Sequence, residues 1–450
     1  MTDIRQLATK PVGRLLWQYS LPAVIGMVVV SLYNVIDRIF IGHAVGPEAI
    51  AGLAITFPVM NLVTAFGVLV GGGASARVSI LLGQKRLDDA AAVLGNALVL
   101  TLIIGTAYVC AFALFLDDIL VAFGADKYTL PPAHEFMSTL LPGLLIMNLT
   151  LSFNNIQRAS GYPKRAMAAM LISAGINVVL APLFIFVFDM GLRGAALATV
   201  CAMSCAMIFV FYHFTRKTST LHFTRGIYRL RGDIVGGILS IGAAPALINV
   251  AGCLVNILIN RALVEHSGGN SVSAVGAAGI FTTYTQFVVM IVLGICQGMQ
   301  PIVGYNYGAC KFDRLKRVFF LATAVSTGLC VVSSIGAYTI PDKIAGIFTA
   351  DPQLIATTVQ CLSISMLCFS VVAFQITSTT LFQSIGSATK AILLGLTRQV
   401  IFLVPLMLWL PSMLGLRGVW MSFPISDAFA TAVTLLLVVI QFRQFRKAAD

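Results

Sequence analysis

Residues 31–42 read SLYNVIDRIFIG and lie inside an apolar run that begins near Leu15. A run of roughly 20 apolar residues is long enough to cross a lipid bilayer as an α-helix. An ionisable side chain at the centre of such a helix costs on the order of 3 kcal/mol, so it usually faces a cavity inside the protein. The stretch therefore predicts a membrane-spanning helix whose Asp37 faces the protein interior. The alternative is a helix-end residue paired with Arg38 at the surface, but the apolar run continues beyond Arg38.

Apolar runs of this length recur along the whole 450-residue chain. The sequence is 58% hydrophobic and only 10% charged, whereas a soluble domain has about 25% charged residues, so most of the surface is predicted to face lipid. The runs are continuous rather than alternating, which excludes the strands of an outer-membrane barrel. We predict an all-α integral membrane protein with twelve transmembrane helices, at residues 14–41, 50–76, 92–116, 134–158, 165–189, 192–214, 234–262, 273–302, 315–340, 355–383, 389–411 and 416–442.

The net charge of +12 is distributed unequally between the two sides of the predicted membrane. If the N-terminus is cytoplasmic, both termini and the even-numbered connections share that side and hold most of the 29 Lys and Arg residues. This is the positive-inside bias. It predicts a multi-pass protein of the cell membrane with both termini cytoplasmic, and it explains the basic charge without a nucleic-acid partner. The basic residues on the opposite side are Arg38, Lys127, Arg193, Arg261, Lys343 and Arg417.

The two halves of the chain resemble each other in sequence. The letters GLRG occur at residues 191–194 and again at 415–418, and NVIDRIFIGH (34–43) corresponds to ILINRALVEH (257–266) at nearly the same offset. Each copy would contain six helices, so both copies enter the membrane from the same side and the repeat is parallel. We predict two six-helix bundles related by a parallel pseudo-two-fold axis, with a cleft between them suited to alternating access. The predicted divisions are residues 1–214, a cytoplasmic linker at 215–233, and residues 234–450.

Few ionisable residues lie inside the predicted spans. Asp37, Arg398 and Asp427 are the clear cases, and Asp37 corresponds in the repeat to the neutral Asn260. The two bundles are therefore chemically unequal, and proton or cation chemistry is expected in the N-terminal one. Arg158 lies near a cytoplasmic span end, where its side chain is expected to snorkel toward lipid phosphate.

Asn177 and Thr199 offer oxygen atoms in the fifth and sixth predicted helices. These oxygens can complete a cation site or hydrogen-bond a protonated carboxyl group. Ordinary interhelical hydrogen bonding, which is common for Asn and Thr in membranes, is the alternative interpretation.

Motifs for metal, nucleotide or catalytic chemistry are absent from the sequence. The nine Cys residues are odd in number and lack metal-ligand spacing, and the glycine cluster GVLVGGGAS (67–75) is not followed by the Lys-Ser/Thr pair of a phosphate-binding loop. The motifs HExxH and Gly-x-Ser-x-Gly do not occur either, so an intramembrane enzyme is not favoured. A channel is not favoured, because no short re-entrant segment is evident. We expect no cofactor and no metal, and an ion gradient as the energy source.

Five stretches together resemble the multidrug and toxic compound extrusion (MATE) family of secondary transporters, in its DinF-like and MepA-like branch. The resemblance covers essentially the whole chain, and no single stretch would establish it. The stretches are LYNVIDRIFIG (32–42), NNIQRASGYPKRA (154–166), GINVVLAPLFIF (175–186), GLRGAALAT (191–199) and LTRQVIFLVPL (396–406).

The resemblance implies antiport, in which a cationic or amphiphilic compound leaves the cell while H⁺ or Na⁺ enters. It also implies an ion site formed by an aspartate, an asparagine and a threonine, which match Asp37, Asn177 and Thr199. The family pattern in the fifth helix is Asn-x-x-x-Asp-Pro, and this sequence has Ala181 in place of the second aspartate. A single carboxylate favours H⁺, because hard cations prefer several oxygen ligands and compensating charge. Na⁺ is the alternative coupling ion.

Further side chains are predicted to line the substrate cavity. Soft Met and aromatic surfaces suit varied amphiphilic drugs. Asp427 is predicted to pair with Arg398, either as a structural clamp or as part of the substrate path. The predicted lining residues are Tyr33, Asn154, Asn155, Met60, Gln286, Gln297, Arg398 and Asp427.

One alternative within transport is a flippase or exporter for lipid-linked or peptide metabolites. Such a protein is expected to carry several cationic residues in its cavity, and few arginines lie inside the predicted spans, so drug export is favoured. The expected partners are small-molecule substrates and membrane lipids, and we expect a monomer.

Overall fold

The computed structural model describes residues 6–44, 47–267 and 271–447, and the regular secondary structure of these residues is helical. Within lipid, a helix satisfies every backbone hydrogen bond inside one segment, so long apolar runs fold this way. Eleven helices of the described ranges are long and apolar enough to cross a membrane, and a bent pair of helices forms a twelfth span. The prediction of twelve transmembrane helices is therefore confirmed.

The spans are numbered α1 to α12 in chain order. A short helix, Gln6–Thr9, precedes α1, and another, Pro341–Phe348, lies between α9 and α10. Four spans are irregular: α3 is kinked at Phe115, α5 and α11 contain π-helical turns, and α10 is bent by 57° at its break. The bounds are α1 Val12–Ala44, α2 Pro47–Gly83, α3 Leu87–Ala122, α4 Leu130–Ala159, α5 Pro163–Pro182 continued by Leu183–Val187, α6 Gly191–Thr215, α7 Gly232–His266, α8 Ser271–Gly308, α9 Phe312–Thr339, α10 Pro352–Ser365 with Phe369–Ser384, α11 Ala388–Leu396 with Thr397–Leu403 and Val404–Leu414, and α12 Leu416–Lys447.

Left-handed backbone recurs at corresponding turns in the two halves of the chain. L-residues avoid positive φ for steric reasons, so such matches are not expected by chance. The turns at Lys85 and Cys310 also share a hydrogen bond. The backbone N–H of Arg86 donates to the carbonyl of Leu81, and the backbone N–H of Lys311 donates to that of Asn306. The repeat predicted from sequence is thus present in the fold. The matched positions are Lys85 and Cys310 (φ 62° and 56°), Gly161 and Gly386 (φ 100° and 78°), and Gly191 and Gly415 (φ 52° and 57°).

Helices α1–α6 form an N-terminal lobe and α7–α12 a C-terminal lobe, and the two lobes share a hydrophobic core at one end. That core joins Leu15 and Val70 of the first lobe to Ile238 and Met299 of the second. We call this the linker end, because α6 finishes and α7 begins there. At the opposite end, each lobe has a separate hydrophobic cluster, at residues 41–200 in one lobe and 255–420 in the other.

The stretch between α6 and α7 is fastened to the N-terminal lobe. The Asn96 amide on α3 donates to the carbonyls of Ile227 (3.3 Å) and Arg229 (3.2 Å), and its Oδ1 accepts from the backbone N–H of Arg231 at 2.9 Å. Arg231 also pairs with Asp89 at 3.2 Å. The predicted division into 1–214, 215–233 and 234–450 stays a prediction, but the chain between the lobes follows the N-terminal one.

Glycines let the lobes meet backbone to backbone at the linker end. A Cβ added at Gly242 of α7 would lie 1.7 Å from the carbonyl oxygen of Leu69 on α2, and one at Gly73 would lie 1.9 Å from that of Ile238. Atoms cannot approach this closely, so only glycine permits the observed packing. Helices α2 and α7 therefore form the closest contact between the lobes.

We expect Gly242→Ala to prevent the lobes from closing at the linker end, because the added methyl group would displace α2. Spin labels at Lys164 and Arg317, one on each lobe, should move apart in a background without reactive cysteines. Gly236→Ala, on the same helix but with no atom within 4 Å of its added Cβ, should leave the distance unchanged. An unchanged distance in Gly242→Ala would mean that this contact does not hold the lobes together.

Candidate functional site

Asp37 lies within α1, which continues to Ala44, so it is not a helix-end residue. The residue is partly buried, and its Oδ1 atom is shielded from solvent. The buried Tyr33 lies one turn earlier, close enough to interact electrostatically with the carboxylate. The side chain of Arg38, the alternative partner, is outside the described part of the structure. Asp37 thus occupies a sheltered position inside the first span.

Asn177 and Thr199 contact each other between α5 and α6. The Asn177 amide donates to Thr199 Oγ1 at 3.2 Å, and that hydroxyl donates to the carbonyl of Ala195 at 3.1 Å. Because the amide nitrogen makes this bond, the carbonyl oxygen of Asn177 is the atom that can accept a proton or a cation. Ala181 follows one turn later and is fully buried.

Asp37 lies in the same region of the lobe as this pair. Helices α1 and α5 run side by side in the same direction, with Gly26 packed on Met170 and the ring of Phe40 6.2 Å from that of Phe186. With a rise of about 1.5 Å per residue, these contacts place Asp37 beside Pro182 of α5, about 8 Å along the helix from Asn177. We call the region that holds Asp37, Asn177 and Thr199 the ion-site layer.

Asn154 and Gln297 belong to a second group, which we call the floor network, together with Arg158. The guanidinium of Arg158 donates to Gln297 Oε1 and to Asn154 Oδ1, the latter at 3.0 Å. Gln297 also contacts Met27, with 4.0 Å between its Nε2 and the sulfur. Met27 precedes Asp37 by about 15 Å along α1, so the floor network is separate from the ion-site layer.

The expectation that Arg158 snorkels to lipid phosphate is wrong. Its side chain is 5% exposed and bridges α4 to α8, which belong to different lobes. No sequence pattern signals this contact, because Gln297 is 139 positions away and neutral. A buried cation needs hydrogen-bond partners, and the two amide oxygens supply them.

Arg398 and Asp427 form the predicted ion pair in the C-terminal lobe. Arg398 Nε lies 2.6 Å from Asp427 Oδ1, and Asp427 is 3% exposed. The same two residues are held by backbone bonds, since Ser426 donates to the carbonyl of Arg398 and Gln375 to that of Asp427. The geometry joins α10, α11 and α12 and fits a structural clamp.

The remaining predicted cavity residues are dispersed. Asn155 is partly buried and packs toward Gly71 of α2, inside the N-terminal lobe. Met60 is partly buried, and Gln286 on α8 is exposed. Tyr33 lies beside Asp37, as described above. Their contact with a substrate stays a prediction.

Two packed six-helix lobes, with polar and charged side chains buried between and within them, define a secondary membrane transporter. A sequence model of the MatE family matches residues 22–183 and 245–409, well over half of the chain. The protein belongs to the MATE family. The two matched segments begin at Pro22 and Pro245, one in each lobe.

Known proteins that resemble the chain include two named multidrug export protein MepA. The one from Staphylococcus aureus (strain MSSA476) is 26% identical over 431 residues, covering 96% of this chain and 94% of that protein. The one from Staphylococcus haemolyticus (strain JCSC1435) is 26% identical and covers 93% and 92%.

Solved structures show the same fold. An outward-facing multidrug resistance MATE transporter of the MOP superfamily superimposes with a TM-score of 0.92, at 24% identity and over 98% of each chain. A MOP superfamily transporter from Pyrococcus furiosus superimposes with a TM-score of 0.91, at 25% identity and over 98% of each chain.

Proposed function

We propose that this protein exports cationic or amphiphilic small molecules from the cell in exchange for H⁺. The observation that carries the proposal is the sheltered carboxylate of Asp37, in the same region of the N-terminal lobe as the hydrogen-bonded pair Asn177 and Thr199. The relatives named as multidrug export proteins support the substrate class. The substrate crosses without chemical change, so no cofactor is required.

H⁺ is preferred over Na⁺ because the ion-site layer has few charged oxygen ligands. The fully buried Ala181 contributes none where the family pattern has a second aspartate. A lone carboxylate can take up and release a proton, whereas a hard cation needs several oxygens and compensating charge. Na⁺ remains the alternative outcome of the transport assay.

The orientation is part of the proposal. With both termini cytoplasmic, as the positive-inside bias favours, the linker end is the cytoplasmic end. The lobes share a core there and have separate clusters at the other end, so the cleft would open outward.

Transport into inverted membrane vesicles tests the proposal. In inverted vesicles the lumen corresponds to the outside of the cell, so an acidic lumen supplies the H⁺ driving force. A fluorescent organic cation should accumulate inside such vesicles. A Na⁺ gradient at constant pH should have little effect. Accumulation driven by Na⁺ alone would assign the other coupling ion, and failure with both gradients would overturn antiport.

Ala181→Asp should strengthen the dependence of export on Na⁺, since it places a second carboxylate one helical turn from Asn177. Ala181→Asn is the matched control, because it crowds the same buried site without adding charge. The export rate is measured against Na⁺ concentration at fixed pH. Strong Na⁺-driven export by the wild type would contradict the proposal that Ala181, in place of the second aspartate, makes Na⁺ coupling weak.

A flippase for lipid-linked metabolites is the second candidate, and the buried Arg158 favours it, since a cation between the lobes can attract a phosphate. Its guanidinium is already engaged by Gln297 and Asn154, however. The floor network would have to open before Arg158 could bind an anionic substrate. Inhibition of cation transport by a lipid pyrophosphate, lost in Arg158→Gln, would support this candidate.

A further inference from the structure

A cavity of about 230 Å³ lies at the linker end of the N-terminal lobe, between the start of α5 and the end of α6. None of its lining residues belongs to the floor network or to the ion-site layer. Its walls combine three basic side chains with two aromatic ones and contain no acid. The lining residues are Arg165, Phe209, Tyr212, His213 and Arg216.

His213 presents a buried hydrogen-bond donor with no acceptor. The residue is 2% exposed, and its Nδ1 lies 2.7 Å from Nη1 of Arg165. A guanidinium only donates, so Nδ1 is the acceptor and the proton of the neutral ring is on Nε2. That Nε2 atom is buried and has no hydrogen-bond partner among the described residues. Buried polar groups are normally paired, so this N–H is available to donate to a bound group.

The two arginines of the cavity carry uncompensated charge. Neither Arg165 nor Arg216 forms an ion pair with a carboxylate in the described part of the chain. Arg216 lies over the ring of Tyr212 at 4.6 Å and donates to its hydroxyl at 2.8 Å. Stacking orients the guanidinium and leaves further N–H donors for an anion. The start of α5 adds the positive end of a helix dipole.

We propose that this cavity binds a phosphate group, supplied by the headgroup of an anionic phospholipid. Two guanidinium groups line it beside the His213 ring, and guanidinium N–H donors suit phosphate oxygens. The cavity lies where α5 begins and α6 ends, at the edge of the membrane span. Tyr212 is exposed there, and aromatic rings favour this depth. Anionic lipids of the cytoplasmic leaflet attract basic clusters at this position.

Thermal unfolding of the purified full-length protein in detergent tests the site. Dioleoyl phosphatidylglycerol should raise the unfolding temperature more than dioleoyl phosphatidylcholine, whose choline cation is repelled by the two arginines. Arg216→Gln, at an exposed position that tolerates substitution, should weaken the apparent affinity for phosphatidylglycerol roughly tenfold. Arg165→Gln should have the same effect. Lys217→Gln, an exposed neighbour outside the cavity, should bind like the wild type.

Inorganic phosphate in a parallel titration distinguishes the sources. Stabilisation by millimolar phosphate that is lost in Arg216→Gln, with no preference between the lipids, would support the phosphate site but assign a soluble ligand. Equal stabilisation of the wild type, Arg216→Gln and Lys217→Gln by phosphatidylglycerol, with no response to phosphate, would overturn the proposal. If Arg165→Gln does not fold, the comparison of Arg216→Gln with Lys217→Gln decides.

Discussion

Asp37→Asn should insert and fold normally but export substrate only at the background rate. The amide has nearly the shape of the carboxylate, so the packing against Tyr33 is retained, but it cannot bind and release a proton. In the proposed cycle, protonation from outside neutralises Asp37 and releases a cationic substrate, and deprotonation on the cytoplasmic side restores binding. Each ligand favours a different arrangement of the lobes, and the variant loses the alternation. Export into inverted vesicles, normalised to the amount of protein, measures the effect.

The pH dependence of substrate binding gives an independent readout for Asp37. Binding to the wild type should weaken as the pH falls, because protonation removes the negative charge that favours a cation. The binding affinity of Asp37→Asn should not vary in this way, and Asp37→Glu should keep partial export. Glu265→Gln, which removes an exposed acid from the other lobe, is the control. Full export by Asp37→Asn at normal expression would refute the proposed role.

Asp427→Asn should cause the largest loss of stability among single substitutions of charged residues. Removing one partner of a buried ion pair leaves the other uncompensated and costs several kcal/mol. The Asp427 side chain is 4% exposed, but that of Arg398 is 31% exposed. We therefore expect the free energy of unfolding to fall by about 3 kcal/mol, the low end of the cost of breaking a buried ion pair. Breaking the exposed pair of Arg261 and Glu265, which are 2.8 Å apart, should change the stability far less, because water solvates both charges. Thermal unfolding in detergent compares the two variants.

A double replacement separates the clamp from the substrate path. Arg398→Met combined with Asp427→Leu removes both charges and keeps similar volumes, and such swaps of a buried pair are often neutral or stabilising. A stable double variant that still exports would identify a structural clamp. A stable double variant that no longer exports would show that the pair belongs to the substrate path.

The transmembrane helices and the repeat were predictable because both depend on local, one-dimensional features. Apolar length marks each span, and the turns at Lys85 and Cys310 have matching sequence and matching backbone. The break in α10 was not predictable, since residues 365–369, SMLCF, contain neither Gly nor Pro, yet Met366 and Cys368 leave the regular helix. At the break, Ser365 donates to the carbonyl of Trp420 on α12, a contact between distant segments that the local sequence does not encode.

Within the site, contacts inside one lobe were predictable from the sequence, whereas contacts between the lobes were not. Asn177 and Thr199 could be proposed together because they lie on successive helices, and the structure joins them directly. The prediction that Arg158 snorkels to lipid phosphate failed because its partner, Gln297, is neutral and lies on the other lobe. Pairings between lobes depend on the conformational state, so a pattern along the chain does not encode them visibly.

The bonds from Asn96 to the connecting stretch determine where the two lobes can pivot. Although the chain between α6 and α7 is long enough to act as a loose tether, its last part is anchored at Ile227, Arg229 and Arg231. The freely rotating portion is therefore reduced to the junction with Gly232. Because the connecting chain is held up to this junction, we expect the lobes to turn relative to each other about the residues next to Gly232. Extra residues inserted between the exposed Arg225 and Gly226 would consequently lengthen a surface loop without changing the reach of one lobe relative to the other.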